Sequence, residues 1–214
     1  MAVNTEFYQS LVAQLPPEVQ LVAVSKTKPN NDIQALYDLG QRDFGENYVQ
    51  ELVDKSAQLP QDIRWHFIGH LQSNKVKYLA PFVHLIQGVD SLKLLLEINK
   101  QANKLGRVIP VLLQMHIAQE ESKFGMDAAE LEQAVEAAQN LSGVRVDGLM
   151  GMASFTHNLD QVKEEFTRLK YQYDALNKGR FRCLSMGMSG DYALAIAAGS
   201  TCVRIGSLLF GSRN

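Results

Sequence analysis

The chain has 214 residues, 46% of them hydrophobic and 21% charged, with a formal net charge of -2. That balance describes a globular domain large enough to bury a core. The near-neutral charge, with no long run of one sign, argues against nucleic acid or an acidic membrane surface as partner.

An N-terminal helix is expected over residues 4–15. The segment MAVNTEFYQSLVAQLPPEVQ has no basic start followed by a long apolar run, so no signal peptide is expected. Short apolar runs of strand type then alternate with amphipathic runs of helix type. The expected strands are 20–26 (QLVAVSK), 43–47 (DFGEN), 64–69 (RWHFIG), 84–89 (HLIQGV), 109–117 (IPVLLQMHI), 144–152 (VRVDGLMGM), 183–188 (CLSMGM) and 202–206 (CVRIG). Several are nearly continuous in apolar residues, as strands covered on both faces are. None is long enough to span a bilayer.

The intervening segments carry helix signals. Ser91 is a candidate N-cap for the run through Leu105. Gly40 and Gly106 follow helical runs, where a left-handed C-terminal cap is expected. Asp127 and Glu130 have capping-box spacing, with Asp in place of the usual Ser or Thr. Val162, Phe166, Leu169, Tyr173 and Leu176 recur at helical steps and make one apolar stripe.

Eight strands, each followed by a helical run, imply a parallel sheet. The α/β class follows, and the count predicts a single (β/α)8 TIM barrel with an extra N-terminal helix, near the lower size limit of that fold. An open doubly wound sheet is the alternative. It usually has fewer strands and a Gly-rich turn after the first, whereas the first strand here runs into SKTKP without GxGxxG. No linker or low-complexity tract divides the chain, so one domain over 1–214 is expected. The two cysteines, Cys183 and Cys202, form no CxxC pair and no zinc-type cluster. They fit a reduced, cytoplasmic compartment, with both packed as small apolar residues.

In a barrel, the polar residues at the C-terminal strand ends share one mouth. Here they are Lys26, Asn47, His70, Gln72, Ser185, Ser189 and Arg204. Side chains alternate along a strand, so Lys26 shares a face with Val22 and Val24. A lysine buried there has a lowered pKa and a free amine able to attack a carbonyl. Alternatively, it snorkels to solvent. The loop in SMGMSGDY and the Gly206-Ser207 pair after the last strand expose backbone N–H groups and hydroxyls suited to a phosphate. Each alone is equally a tight turn. Arg204 lies between them and Lys26, either against a ligand or in an ion pair with a carboxylate. A carbonyl-seeking lysine, a phosphate cup and a guanidinium between them describe a site for pyridoxal 5′-phosphate (PLP). An arginine at the pyridine nitrogen keeps it unprotonated and makes the ring a poorer electron sink than one paired with Asp.

The matching segments are AVSKTKP at 23–29, FGENYVQE at 44–51, WHFIGHLQSNK at 65–75, VDS at 89–91, EESKFG at 120–125, GLMGMAS at 148–154, SMGMSGDYALAI at 185–196 and GSTCVRIGSLLFGSR at 199–213. On these the chain resembles the pyridoxal phosphate homeostasis protein family, the YggS/PROSC-like PLP-binding proteins, over nearly its whole length. The resemblance implies a fold-type III barrel that holds PLP as an internal aldimine on Lys26. It implies Asn47 beside the ring, Arg204 facing the pyridine nitrogen, and Ser189, Gly206 and Ser207 holding the phosphate. His70, Met150 and Ser185 would line the site. It further implies a role in intracellular PLP (vitamin B6) homeostasis and amino- and keto-acid balance, without established turnover. PLP-dependent apoenzymes would be the recipients, and a monomer is expected. Two departures stand out: Phe124, where a small residue is expected, and His116, where Asn is expected. Both bear on pocket shape beyond the fifth strand.

The alternative is a PLP-dependent amino-acid racemase or decarboxylase of the alanine-racemase-like class. Those enzymes carry an additional β domain, for which the chain up to Asn214 leaves no room. Racemisation also needs an acid/base on each face of the ring. Lys26 can serve one; Tyr48 and His70 are candidates for the other, though such residues more often pack or hydrogen-bond. A Schiff-base aldolase acting on a sugar phosphate is a third reading, separated from the first by the absence of a visible chromophore. Metal is not expected: His66 and His70 share a strand face, but no third ligand is placed and HExxH is absent. Met115, Met150, Met152, Met186 and Met188 near strand ends suit soft core filling or an adaptable pocket wall. Lys75, Lys77 and Lys123 suit solvated surface charge or steering of a phosphate.

Overall fold

The alternation of strand and helix closes on itself. The computed structural model describes residues 3–120 and 124–211. In it β1 (Gln20–Val24), β2 (Asp43–Glu46), β3 (Arg64–Phe67), β4 (Leu85–Val89), β5 (Ile109–Gln114), β6 (Val144–Met150), β7 (Cys183–Met188) and β8 (Cys202–Ile205) pair in chain order. All the pairings are parallel, and β8 returns to β1. This is the (β/α)8 barrel expected from the sequence. Helix α1 (Thr5–Gln14) precedes the first strand. Helices α2 (Asn30–Asp38), α3 (Val49–Gln58), α4 (Val76–Leu79), α5 (Leu92–Lys104), α6 (Ala128–Ala138), α7 (Leu159–Leu176), α8 (Tyr192–Ala197) and α9 (Ser207–Phe210) follow one strand each. A 3₁₀ turn, Ser73–Lys75, leads into α4.

The helix ends are where their chemistry puts them. The Ser91 hydroxyl accepts from the Leu94 amide, and Asp127 and Glu130 form a complete capping box at α6. Gly40 and Gly106 sit at φ 101° and 62°, the left-handed region that ends a helix with little cost for glycine. Along α7, Val162, Phe166 and Leu169 are buried, and Tyr173 and Leu176 pack against the same core.

Strand side chains divide between two faces. Leu21, Ala23, Phe44, Phe67, Ile86 and Leu149 point outward into the layer shared with the helices. Leu85, Leu112 and Met150 form an inner cluster with Met152 and Cys183. Among the described residues no helix is long and apolar enough to cross a membrane.

Six strands stop one to three residues before the sequence pattern predicts. The regular ladder stops at these ends, but single backbone bonds to the neighbouring strand run on past several of them, the Ser25 amide donating to Gly45 and the Ile68 amide to Glu46. The consequence is largest at Lys26. β1 ends at Val24, so Lys26 belongs to a turn closed by the Lys28 amide donating to the Ser25 carbonyl at 3.0 Å. Strand alternation therefore does not set its direction. The turn does.

Candidate functional site

Four adjacent strand ends converge at the mouth. Val24 pairs with Gly45, Val22 with Arg204, and Met188 with Arg204. The run β7-β8-β1-β2 thus brings Ser189, Arg204, Gly206, Lys26 and Asn47 to consecutive strand ends. Lys26 is half-buried in its turn, beside Thr27 at φ 63°. Asn47 is half-buried too, and its Oδ1 is shielded from water without a hydrogen-bond partner among the described residues. A buried amide oxygen of this kind costs free energy unless something donates to it.

The loops after β7 and β8 are tied together, with the Gly206 amide donating to Ser189 Oγ at 3.3 Å. Gly206 packs closely on β1: a Cβ there would lie 3.3 Å from both Val24 Cβ and the Val24 carbonyl oxygen. Ser207, the first residue of α9, is exposed.

Beneath them Arg204 is 3% exposed. Its guanidinium donates to two neutral acceptors, Ser185 Oγ at 2.5 Å and the Gly151 carbonyl at 3.0 Å. The ion pair considered from the sequence is therefore not its anchor. Burial lowers its pKa from the usual arginine range.

Ser185 opens a polar chain through the barrel interior. Its hydroxyl donates to Gln87 Oε1 at 2.6 Å. Gln87 Nε2 lies 3.1 Å from His66 Nδ1, and His66 Nε2 lies 2.9 Å from Asp43 Oδ1. Arg64 closes the far end with a two-pronged grip on Asp43, its Nε donating to Oδ1 at 2.7 Å. Burial alone would raise the Asp43 carboxyl, but the Arg64 and His66 hydrogen bonds outweigh it and hold the group well below the usual carboxylate range.

His66 and His70 are thus separated in role. His66 belongs to this interior chain, with His84 nearby; potential ligand atoms of Asp43, His66 and His84 lie within 4.8 Å of one another. Arg64 already occupies both carboxylate oxygens there, which opposes a cation. His70 sits at the rim, its Nδ1 2.7 Å from Asp90 Oδ2. Its ring stacks on Phe124, with centroids 3.9 Å apart and planes 12° from parallel. The unexpected Phe124 is therefore a partner of His70. His116 Nε2 lies 3.0 Å from the Glu120 carbonyl oxygen. Met150 is wholly buried in the inner cluster, as floor rather than rim. Tyr48, Gln72, Lys75 and Lys77 are exposed; Lys123 and the 121–123 part of EESKFG lie outside the described residues.

Sequence reasoning missed Gln87, Asp90, and an ionic group in which Glu46 on β2 and Lys55 on α3 are buried and Glu51 on α3 is partly exposed. Glu46 is 0% exposed and Lys55 5%. The available signal was a polar residue inside an apolar strand run, Gln in LIQGV and Glu in DFGE.

Comparison with known proteins agrees with this architecture. The family model described as alanine racemase, N-terminal domain, matches residues 4–214. The pyridoxal phosphate homeostasis protein of Synechocystis sp. is 39% identical over 211 residues, covering 96% of this chain and 97% of the relative. That of Escherichia coli K12 is 40% identical over 210 residues, covering 93% and 88%. PipY of Synechococcus elongatus PCC7942, solved with PLP bound, superposes with a TM-score of 0.88 at 38% identity, covering 96% of this chain and 99% of that one. Alanine racemase from E. faecalis has a TM-score of 0.80 at 16% identity and shares the fold, this chain covering 62% of it. On these matches, laid over the mouth described above, the chain belongs to the pyridoxal phosphate homeostasis protein family, built on the alanine racemase N-terminal barrel.

Proposed function

We propose that this protein binds pyridoxal 5′-phosphate in the barrel mouth and serves intracellular PLP homeostasis as a carrier rather than as a catalyst. The carrying observation is the convergence of Lys26, Asn47, Arg204 and the Ser189–Gly206 pair on four adjacent strand ends. The residues fit the group in three respects. Asn47 Oδ1 is a buried acceptor lacking a donor. Gly206 carries no side chain where a Cβ would crowd Val24, and its backbone N–H, which donates to Ser189 Oγ, stands beside that hydroxyl as a second donor. Arg204 is a buried cation whose hydrogen bonds among the described residues go to Ser185 and Gly151, both neutral, while Asp191 attracts it through space, so its guanidinium can still donate to an acceptor above it.

Bound PLP would supply an electrophilic aldehyde and an electron-withdrawing ring. In this reading Lys26 supplies the amine that engages the aldehyde. Ser189, Gly206 and Ser207 hold the phosphate through hydroxyl and backbone N–H donors. Arg204 offers N–H to the ring nitrogen and, having no proton to release, leaves that nitrogen unprotonated. Ser185 orients Arg204, Met150 forms the floor, and His70 borders the mouth where Asp90 and Phe124 hold its ring.

The chain is read as one domain over 1–214, a cytoplasmic monomer with PLP-dependent apoenzymes as recipients. The relatives' names support homeostasis over turnover. The alternative would need its second-face acid/base from the exposed Tyr48 or from His70, which Asp90 and Phe124 fix at the rim.

Borohydride reduction of the PLP-loaded protein followed by peptide mass mapping tests the assignment. A pyridoxyl label on Lys26 is expected; a label on another residue, or none, refutes it. Incubation with L- and D-amino acids and chiral analysis tests the carrier reading, which racemisation at an enzyme-like rate would overturn.

A further inference from the structure

Lys26 is flanked by two residues tied to one ionic group. On its N-terminal side, Ser25 Oγ donates to Glu46 Oε1 at 2.6 Å, and the Ser25 carbonyl accepts from Lys55 Nζ at 2.8 Å. On its C-terminal side, the Thr27 amide donates to Glu51 Oε1 at 2.6 Å. Lys55 joins the two sides, donating to Glu46 Oε1 at 2.8 Å and Glu51 Oε1 at 2.6 Å. All three ammonium protons are thereby used.

Two features say that this group does more than fill the space between β2 and α3. A buried ion pair is poor value as a stabiliser, because desolvation cancels most of its attraction. Burial also pushes the Glu46 carboxyl up against the pull of Lys55, and one of its oxygens has no hydrogen-bond partner among the described residues. The group it grips is also a strained one. Thr27 has φ 63°, a conformation in which a β-branched side chain is an outlier and persists only when its surroundings impose it. Glu51 and Lys55, four residues apart on one face of α3, impose it from outside the barrel.

We infer that Lys55, with Glu46 and Glu51, is a positioning element that locks the 25–27 turn and so fixes the direction in which Lys26 enters the mouth. The inference rests on Lys26 being the amine that engages PLP. If the turn is locked only part of the time, apparent affinity falls by the fraction of time it is out of place.

The test uses purified, PLP-free Lys55→Met, Glu51→Ala and Lys26→Ala proteins, titrated with PLP and followed by visible absorbance. Amide exchange is measured at Ser25 and Lys28, whose backbone hydrogen bonds run to Gly45 and Ser25; the Ser25 bond shares no atom with a substituted side chain, whereas the Ser25 carbonyl also accepts from Lys55 Nζ, so Lys28 is read in Glu51→Ala. Lys55→Met and Glu51→Ala are expected to bind PLP at least about tenfold more weakly, ~1.4 kcal/mol. Exchange at Ser25 and Lys28 should quicken, and the pH midpoint of the bound chromophore should move. Glu51 is partly exposed, so Glu51→Ala carries the test if Lys55→Met does not fold. Wild-type affinity and exchange in Glu51→Ala, alongside loss of the visible band in Lys26→Ala, overturns the inference alone. A visible band retained in Lys26→Ala overturns instead the assignment of Lys26.

Discussion

Replacing Gln87 with Leu should unfold the barrel at a markedly lower temperature, and the cost should nearly vanish as an increment when Ser185 is already Ala. Gln87 is 0% exposed and takes the Ser185 hydroxyl proton while facing His66 Nδ1. Leucine fills similar volume but leaves both of those groups unpaired. Each such buried group costs about 1–3 kcal/mol, so Gln87→Leu costs ~2–6 kcal/mol. At about 2–4 °C per kcal/mol for a chain of this size, the melting temperature falls by ~4–24 °C. Ser185→Ala also orphans two groups, Gln87 Oε1 and the Arg204 Nη1 proton. The double variant orphans only His66 Nδ1 and the Arg204 proton. Four orphans summed over the singles become two in the double, so the double should fall short of additivity by ~2–6 kcal/mol. Urea unfolding of the four PLP-free proteins measures the cycle. Additivity within about 0.5 kcal/mol would mean that the two side chains are not linked, and would refute the interior chain.

Three further outcomes are expected. Arg204→Ala should retain far less PLP while the barrel stays folded; since a hydrogen bond from a charged donor is worth about 1.5–3 kcal/mol, the loss in affinity is roughly tenfold to a hundredfold, and unchanged absorbance and occupancy would count against the ring-nitrogen role. Asp43 is held below its ordinary pKa, so its contribution to stability is complete above the unfolded value of about 3.9 and is lost as pH falls through that value toward the folded one; Asp43→Asn should be less stable at neutral pH and should lack this acid-side slope in urea midpoints measured against pH. Gly69→Ala would set a Cβ 2.5 Å from the Asn47 carbonyl oxygen. The backbone must yield, at about 1–3 kcal/mol of overpacking, and calorimetry should show both the lower melting temperature and weaker PLP binding through a displaced Asn47.

The architecture was legible because its cause is local. Strands buried on both faces must be nearly continuous in apolar residues, and the amphipathic runs between them must cover those faces. Strand ends were less legible: in QLVAVSK the pattern gives no sign that the strand ends at Val24, with one last bond from the Ser25 amide to Gly45. Lys26 stands out in the sequence by its chemistry, whereas the hydrogen bonds that hold its two neighbours come from Glu51 and Lys55 on a neighbouring helix. Gln87 and Ser185 lie 98 positions apart and are joined only by closure of the barrel. Phe124 looked anomalous against the family pattern because its partner, His70, comes from another strand end.

The interior chain has a direction. Arg204 at its head has only protons to give, and ionised Asp43 at its foot has only lone pairs to offer. Each link between must therefore pass a proton the same way: guanidinium to serine oxygen, serine hydroxyl to Gln87 Oε1, Gln87 amide to His66 Nδ1, and His66 Nε2 to Asp43. An acidic residue at 204, the kind of partner that keeps a pyridine nitrogen protonated, would reverse the first link. The serine would have to turn its hydroxyl upward, the amide to flip and the imidazole to change tautomer, until its bare nitrogen met the Asp43 carboxylate. A reversed chain could be reconciled with an ionised Asp43 only by a ring that donates from both nitrogens, so the far end of the barrel ties the sign of charge at position 204 to the state of His66 or to a matching change at position 43.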